Sequence, residues 1–273
     1  MNRQNKKQIS LLLGFCLLIT MGGFGNLKWA NAADATMAVA DAEPTEEPTD
    51  VKNASDVAAI NKIIADQRAK GATVSENLDD TNQYTWKDGR LVEIKWISKL
   101  DTTIDYKLTG DISFNDLTAL ETIDCSVSYG LTSIEVTDCK ALKALKISHS
   151  QITTLNIENN VVLQKLDCSC TEISDLDVSH NPELKKVDCG YIQIKHLDVS
   201  KLANLQSLSC NSLEIESLDL SSNKKLEVLS FDFCEHISNI DLSNNVMLRE
   251  VSCVYSSINV LDVSKNVALE KLE

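Results

Sequence analysis

The chain has 273 residues, with 26 Lys and Arg against 40 Asp and Glu, and 43% of its side chains are apolar. That length and apolar share suffice for a core of one or two domains. A net charge of −14 repels phosphate backbones and anionic bilayers, which argues against nucleic acid or a charged membrane surface as partner.

Arg3, Lys6 and Lys7 lead into an apolar stretch from Ile9 to Leu27, interrupted by Gly14, Gly22, Gly23 and Gly25. Ala30-Asn31-Ala32 then places small residues two apart. This order predicts a secretory signal over residues 1–32, cleaved at an A-x-A site, rather than a membrane anchor. Gly14-Phe15-Cys16 puts a bulky ring where a lipoprotein signal wants a small residue. Cleavage would remove Arg3, Lys6, Lys7 and Lys28 but no acid, leaving 22 bases against 40 acids, a net of −18. No membrane insertion is expected of the mature chain. Residues 33–52 hold Pro44, Pro48 and a run of acids that includes Asp41, Glu43, Glu46, Glu47 and Asp50. They read as an acidic disordered linker.

Residues 53–111 read as a small α+β cap. Asn53 or Ser55 can cap a helix with Val57, Ile60, Ile63 and Ile64 on its buried face and Gly71 beyond its end. Tyr84-Thr85-Trp86 and Leu91-Val92-Glu93-Ile94-Lys95-Trp96 flank Asp88-Gly89, a hairpin signal, with both tryptophans assigned to the cap's core.

From residue 112 the chain repeats. Units start at Leu155, Leu176, Leu197, Leu218, Ile240 and Leu261, with degenerate ones at Ile112 and Ile134. Most contain an alternating strand, as in Leu163-Gln-Lys-Leu166-Asp-Cys168, and a second apolar pair, as in Leu176-Asp-Val178. No unit has room for a long helix, so strands and tight corners must build the coil. A unit of about five aliphatic side chains, each contributing roughly 1.5–3 kcal/mol, cannot offset its own backbone entropy, so the units must stack. The chain stops at Glu273, one residue past Leu272 of a strand. The expectation is a solenoid incomplete at that end, in a natural polypeptide that continues.

These motifs, over about 112–273, resemble the leucine-rich repeats of bacterial secreted proteins, specifically the cysteine-containing 21-residue class of internalin-like proteins. The resemblance implies a curved parallel β-sheet lining a concave face, a turn-rich convex side and a Gram-positive secreted or cell-surface protein. It also implies an Asn three residues after the cysteine. That column instead reads Ser150, Thr171, Ile192, Leu213 and Ser256, whereas Asn160, Asn181, Asn223, Asn245 and Asn266 form a column at another corner. Buried corner backbone needs partners, so these asparagines are the expected ladder.

Cys125, Cys168, Cys189, Cys210 and Cys253 share one inward column in which Ile147 and Phe231 also stand. That interchange favours packing of free thiols over disulfides or metal ligation. Cys139, Cys170 and Cys234 lie outside it. Asp177, Asp198, Asp219, Asp241 and Asp262 form an acidic ladder, held either by Ser and backbone donors or by calcium between coils. The four histidines have no catalytic spacing, so no enzyme activity and no cofactor are expected. The outward columns of the concave face carry Lys146, Lys165 and Lys186 beside Asp167 and Asp188, with His149, Tyr191, Phe233 and Tyr255 at the strand ends. A mixed-charge patch beside aromatics suits a protein or glycan ligand. The competing reading is a structural spacer that presents a further C-terminal enzyme or binding domain. The oligomeric state is left open by the sequence.

Overall fold

The computed structural model describes residues 51–98 and 106–273. The expected signal, and all of the linker before residue 51, lie outside the described residues.

Helix α1 (Ala54–Ala69) starts where Asn53 Oδ1 accepts the N–H groups of Ser55 and Asp56, at 3.0 and 3.1 Å. Beyond its end Gly71 sits at φ +97°, a conformation open to glycine. Its buried residues are Asp56, Ile60, Ile64 and Gln67, so the apolar face expected from Val57 and Ile63 is shifted and two of its four positions are polar. The reason is docking to backbone edges. Gln67 Oε1 accepts from Thr109 N at 3.0 Å, and its Nε2 donates to Thr109 O at 3.1 Å. The Asp56 carboxylate receives Arg90 Nε at 2.8 Å, Arg90 Nη2 at 3.0 Å and Leu91 N at 3.0 Å.

Arg90 and Leu91 belong to the hairpin of β1 (Tyr84–Lys87) and β2 (Arg90–Lys95). Its turn residues Asp88 and Gly89 have φ of 50° and 72°, as a two-residue hairpin turn demands. Trp96 is fully buried, edge-on to Tyr84 and 6.0 Å from Phe114. Trp86 is only partly covered. Its Nε1 donates to Leu78 O, and Lys52 Nζ lies 5.5 Å from its ring.

Strand β2 also begins the solenoid. A parallel sheet runs from it through β4 (Thr122–Asp124), β6 (Ala144–Lys146), β7 (Lys165–Asp167) and β8 (Lys186–Asp188). It continues through β9 (Ser207–Ser209), β10 (Val228–Ser230), β11 (Glu250–Ser252) and β12 (Lys271–Leu272). Strands β3 (Thr109–Ser113) and β5 (Gly130–Glu135) pair separately. Each short strand turns one apolar residue inward, giving the column Ile123, Leu145, Leu166, Val187, Leu208, Leu229 and Val251. Two residues further on lies the column Cys125, Ile147, Cys168, Cys189, Cys210 and Phe231, all fully buried, with Cys253 half-buried. The cysteines of this column are free thiols.

The asparagine column closes the opposite corner. Asn181 Nδ2 donates to Ile157 O at 2.9 Å and Asn160 O at 3.0 Å, joining each coil to the one before. Asn160, Asn223, Asn245 and Asn266 repeat the pattern. Two rungs differ. Buried Leu202 stands in the column without a donor, and Cys139 Sγ approaches Phe114 O at 3.3 Å where an amide would otherwise reach. In the column where the resemblance implies Asn, Ser150 and Thr171 hydroxyls instead bond the carbonyls of Ile147 and Cys168, each at 2.8 Å.

Candidate binding surface on the concave sheet

The outward residues of β6 to β8 form a charged patch. Parallel register sets Lys165 opposite Lys186 and Asp167 opposite Asp188, so like charges face one another across adjacent strands. Lys146 lies opposite Asp167 in register, but its ion pair is with Asp124, at 3.0 Å. Asp124 and Asp167 each accept a serine hydroxyl two residues on, from Ser126 and Ser169, at 2.7 Å. Asp188 accepts from Gly190 N at 3.2 Å and lies against the Ser209 hydroxyl. Burial, with the neighbouring Asp167 charge added, raises its pKa to about 6. Burial lowers the pKa of His149, against a smaller opposing pull from Asp167.

One residue past the last outward column, the backbone turns. Val127, His149, Cys170, Tyr191, Ser212, Phe233 and Tyr255 all have φ between 54° and 60°. Their N–H groups still pair with the next coil where it exists, as in Tyr191 N to Asn211 O at 2.7 Å and Phe233 N to Val254 O at 2.8 Å. The left-handed turn swings these side chains onto one rim of the sheet. A non-glycine residue there costs about 1–2 kcal/mol, yet none of the seven is Gly or Asn. Phe233 and Tyr255 stack with ring centroids 5.2 Å apart and planes 19° apart, and Tyr255 is 75% exposed. His149 meets exposed Tyr129 edge-on at 6.4 Å.

The structure thus gathers Lys146, Lys165, Asp167, Lys186, Asp188 and His149 on and beside β6 to β8, in the middle of the sheet. Tyr191 follows β8 on the coil of Asp188, and Phe233 and Tyr255 lie on later coils, past β10 and β11. Three residues absent from the sequence reading join the surface: Tyr129, Asn211 and Asp232. Asn211 and Asp232 occupy a third outward column that elsewhere reads Ser126, Ser148, Ser169, Gly190 and Val254. Their departure from Ser and Gly was the available signal. Among the described residues no group of His, Cys, Asp and Glu is arranged to hold a metal ion, and no helix is long and apolar enough to cross a membrane.

No family model and no curated protein sequence matches the chain. Solved structures do. The functional domain of InlJ from Listeria monocytogenes, described as including a cysteine ladder, is 25% identical with a TM-score of 0.54 over 66% of this chain. The match spans 47% of that structure, so the chain accounts for about half its length. Internalin C2 and the internalin InlF, both from Listeria monocytogenes, are each 15% identical with TM-scores of 0.45. Those matches cover 74% of this chain and 93% of internalin C2, and 71% of this chain and 58% of InlF. The fold is a leucine-rich-repeat solenoid of internalin-like form.

Proposed function

We propose that this internalin-like leucine-rich-repeat protein is an extracellular recognition or adhesion module that binds a protein or glycan through the concave face. Residues 1–32 act as the export signal, 33–52 as a spacer, 53–111 as the cap and 112–273 as the ligand-bearing repeats of a secreted or surface protein of a Gram-positive bacterium. The surface consists of Lys146, His149, Lys165, Asp167, Lys186, Asp188, Tyr191, Phe233 and Tyr255. It binds rather than transforms its ligand.

The observation that carries this reading is the occupancy of the left-handed column. Glycine would relieve about 1–2 kcal/mol of backbone strain at each position. Val127, His149, Cys170, Tyr191, Ser212 and Phe233, each with a following coil beside it, are half-buried and none enters the core. Side chains kept at a backbone penalty outside the core point to a surface role. The matched internalin-like fold supports it further, because a stacked parallel sheet presents such columns on a rigid scaffold.

The test is capture of partners by immobilised protein, compared with Tyr191→Ala, Phe233→Ala and Tyr255→Ala. Capture from extracts and from a glycan array should fall in these variants while their melting temperatures stay within a few degrees of the parent. Undiminished capture of every partner would reject the reading.

A further inference from the structure

Asp232 lies in the outward column just past β10, and its two carboxylate oxygens are used unequally. Oδ1 accepts Ser252 Oγ at 2.6 Å and Val254 N at 2.7 Å, both from the next coil. Among the described residues, the hydrogen-bond contact of Oδ2 is Ser230 Oγ, at 3.4 Å. A serine hydroxyl carries one proton, and Ser230 directs it to Asn211 Oδ1 at 2.7 Å. The same Asn211 oxygen accepts Asp232 N at 2.8 Å. The carboxylate is therefore locked in place through one oxygen while the other is left to accept from outside. Among the described residues no ion pair includes Asp232. The cation on the neighbouring coil, Arg249, is committed to Glu270 at 2.8 Å.

Phe233 and Tyr255 follow Asp232 and Val254 directly in the chain, so the stacked rings stand on the same two coils as the locked carboxylate. The face of an aromatic ring attracts a cation, more strongly where water is partly excluded. The hydroxyl protons of Ser230 and Ser252 are spent on Asn211 and Asp232, so these serines offer lone pairs only. A neutral glycan needs several donors as well as acceptors; apart from the Tyr255 hydroxyl, these side chains supply acceptors, negative charge and π density, on a chain of net charge −14. The complementary group is a cation on an apolar stem.

We propose that the concave surface over β10 and β11 holds a Lys or Arg side chain of a protein partner, with Asp232 as its anion and the Phe233–Tyr255 stack as its aromatic wall. The proposal rests on the concave-face reading and narrows it to a basic protein segment.

Calorimetric titration of the protein at low salt with acetyl-hexaarginine amide, hexaglutamate and chitohexaose tests it. Hexaarginine should bind and hexaglutamate should not. Asp232→Asn, which keeps the Oδ1 acceptor, should weaken hexaarginine at least about tenfold, and Tyr255→Leu about threefold or more. Glu214→Gln, which removes the same charge outside the strand columns, should change nothing. Equal weakening by Glu214→Gln and Asp232→Asn would reduce the attraction to diffuse charge and overturn the subsite. So would unchanged affinity in Asp232→Asn, or preferential binding of chitohexaose. If Asp232→Asn fails to fold, Tyr255→Leu decides alone, and full affinity there overturns the subsite. Capture of the natural partner that falls with Tyr255→Ala but survives Asp232→Asn refutes the cation subsite and spares the concave-face reading. Survival in both refutes both.

Discussion

Asp188 stands in register with Asp167 on the adjacent parallel strand, and burial together with that neighbour raises the Asp188 pKa to about 6. The folded chain therefore holds this proton more tightly than the unfolded chain, whose aspartates titrate near 3.9. Stability from this group is present at low pH and is lost as pH rises from about 4 to about 6. Asp188→Asn keeps the acceptor for Gly190 N and removes the charge. It should raise stability at pH 7 by about 1–3 kcal/mol and have little effect near pH 4. Urea melts of both proteins at the two pH values check it, and a variant destabilised at pH 7 would contradict the assignment.

The asparagine column sets a second expectation. Asn181 donates to two carbonyls, but each also accepts a backbone N–H, from Asn160 to Ile157 O and from Leu163 to Asn160 O. Removing the amide thus weakens those carbonyls without stranding them, and natural Leu202 stands at an equivalent position. Asn181→Leu should cost about 1–2 kcal/mol for the two lost bonds. Asn181→Ala should cost about 2–4 kcal/mol because a cavity is added to the same loss. Equal costs, measured by denaturant melts, would mean that hydrogen bonding rather than packing sets the value of the column.

Much of the scaffold was legible because the repeat prints its contacts at a fixed interval. The 21-residue spacing of Cys168, Cys189 and Cys210 marks an inward column in the sequence itself, and the asparagines at 160 and 181 mark the corner. The cap was less legible. The buried face read from Val57, Ile60, Ile63 and Ile64 leaves out Asp56 and Gln67, whose burial follows from Arg90, the Leu91 N–H and the backbone of Thr109. The left-handed column was invisible for a related reason: sequence flags positive φ through Gly or Asn, and this rim has His149, Tyr191, Phe233 and Tyr255 instead. The Asp232 network depends on contacts between three coils, which no single unit displays.

Buried Asp56 receives a bidentate Arg90 and the Leu91 N–H. Arg90→Ala leaves that carboxylate with the Leu91 N–H and no counter-charge, and should cost about 3–5 kcal/mol. Arg90→Lys restores charge but not the fork, so it should recover only part. Because the pair ties α1 to the hairpin, amide exchange should quicken in α1 before it quickens in β7 to β9. Uniform acceleration throughout would show instead that cap and repeats open as one unit.

The inward thiols predict selective chemistry. Burial raises the pKa of Cys125, Cys168, Cys189 and Cys210, which suppresses the reactive thiolate. Half-buried Cys253 should be alkylated first by iodoacetamide at pH 8, and those four only after unfolding. Ile147 and Phe231 fill the same slot, so Cys189→Val should change stability by less than about 1.5 kcal/mol. Mass-spectrometric mapping of the modified sites checks the order. Early labelling of Cys189 would contradict a closed core.

The aspartate ladder runs with the opposite sign to Asp188. The Oδ1 atoms of Asp177, Asp198, Asp219, Asp241 and Asp262 accept the N–H of the serine two residues on, at 2.8–2.9 Å. Hydrogen bonds from those serines, both backbone and side chain, hold all five pKa values below the ordinary aspartate value. Folded carboxylates that resist protonation stabilise the fold above the unfolded pKa, and that contribution is lost as pH falls through the lower folded values. Acidification from pH 7 should therefore first stabilise the protein, through Asp188, and then destabilise it below about pH 4 as the ladder protonates. The serine donors already offset the repulsion along the ladder, so the melting temperature should be the same in EDTA and in excess calcium. A calcium-dependent rise would show that the coils share bridging cations. Loss of that rise in Asp198→Asn and Asp219→Asn would place those cations on the ladder.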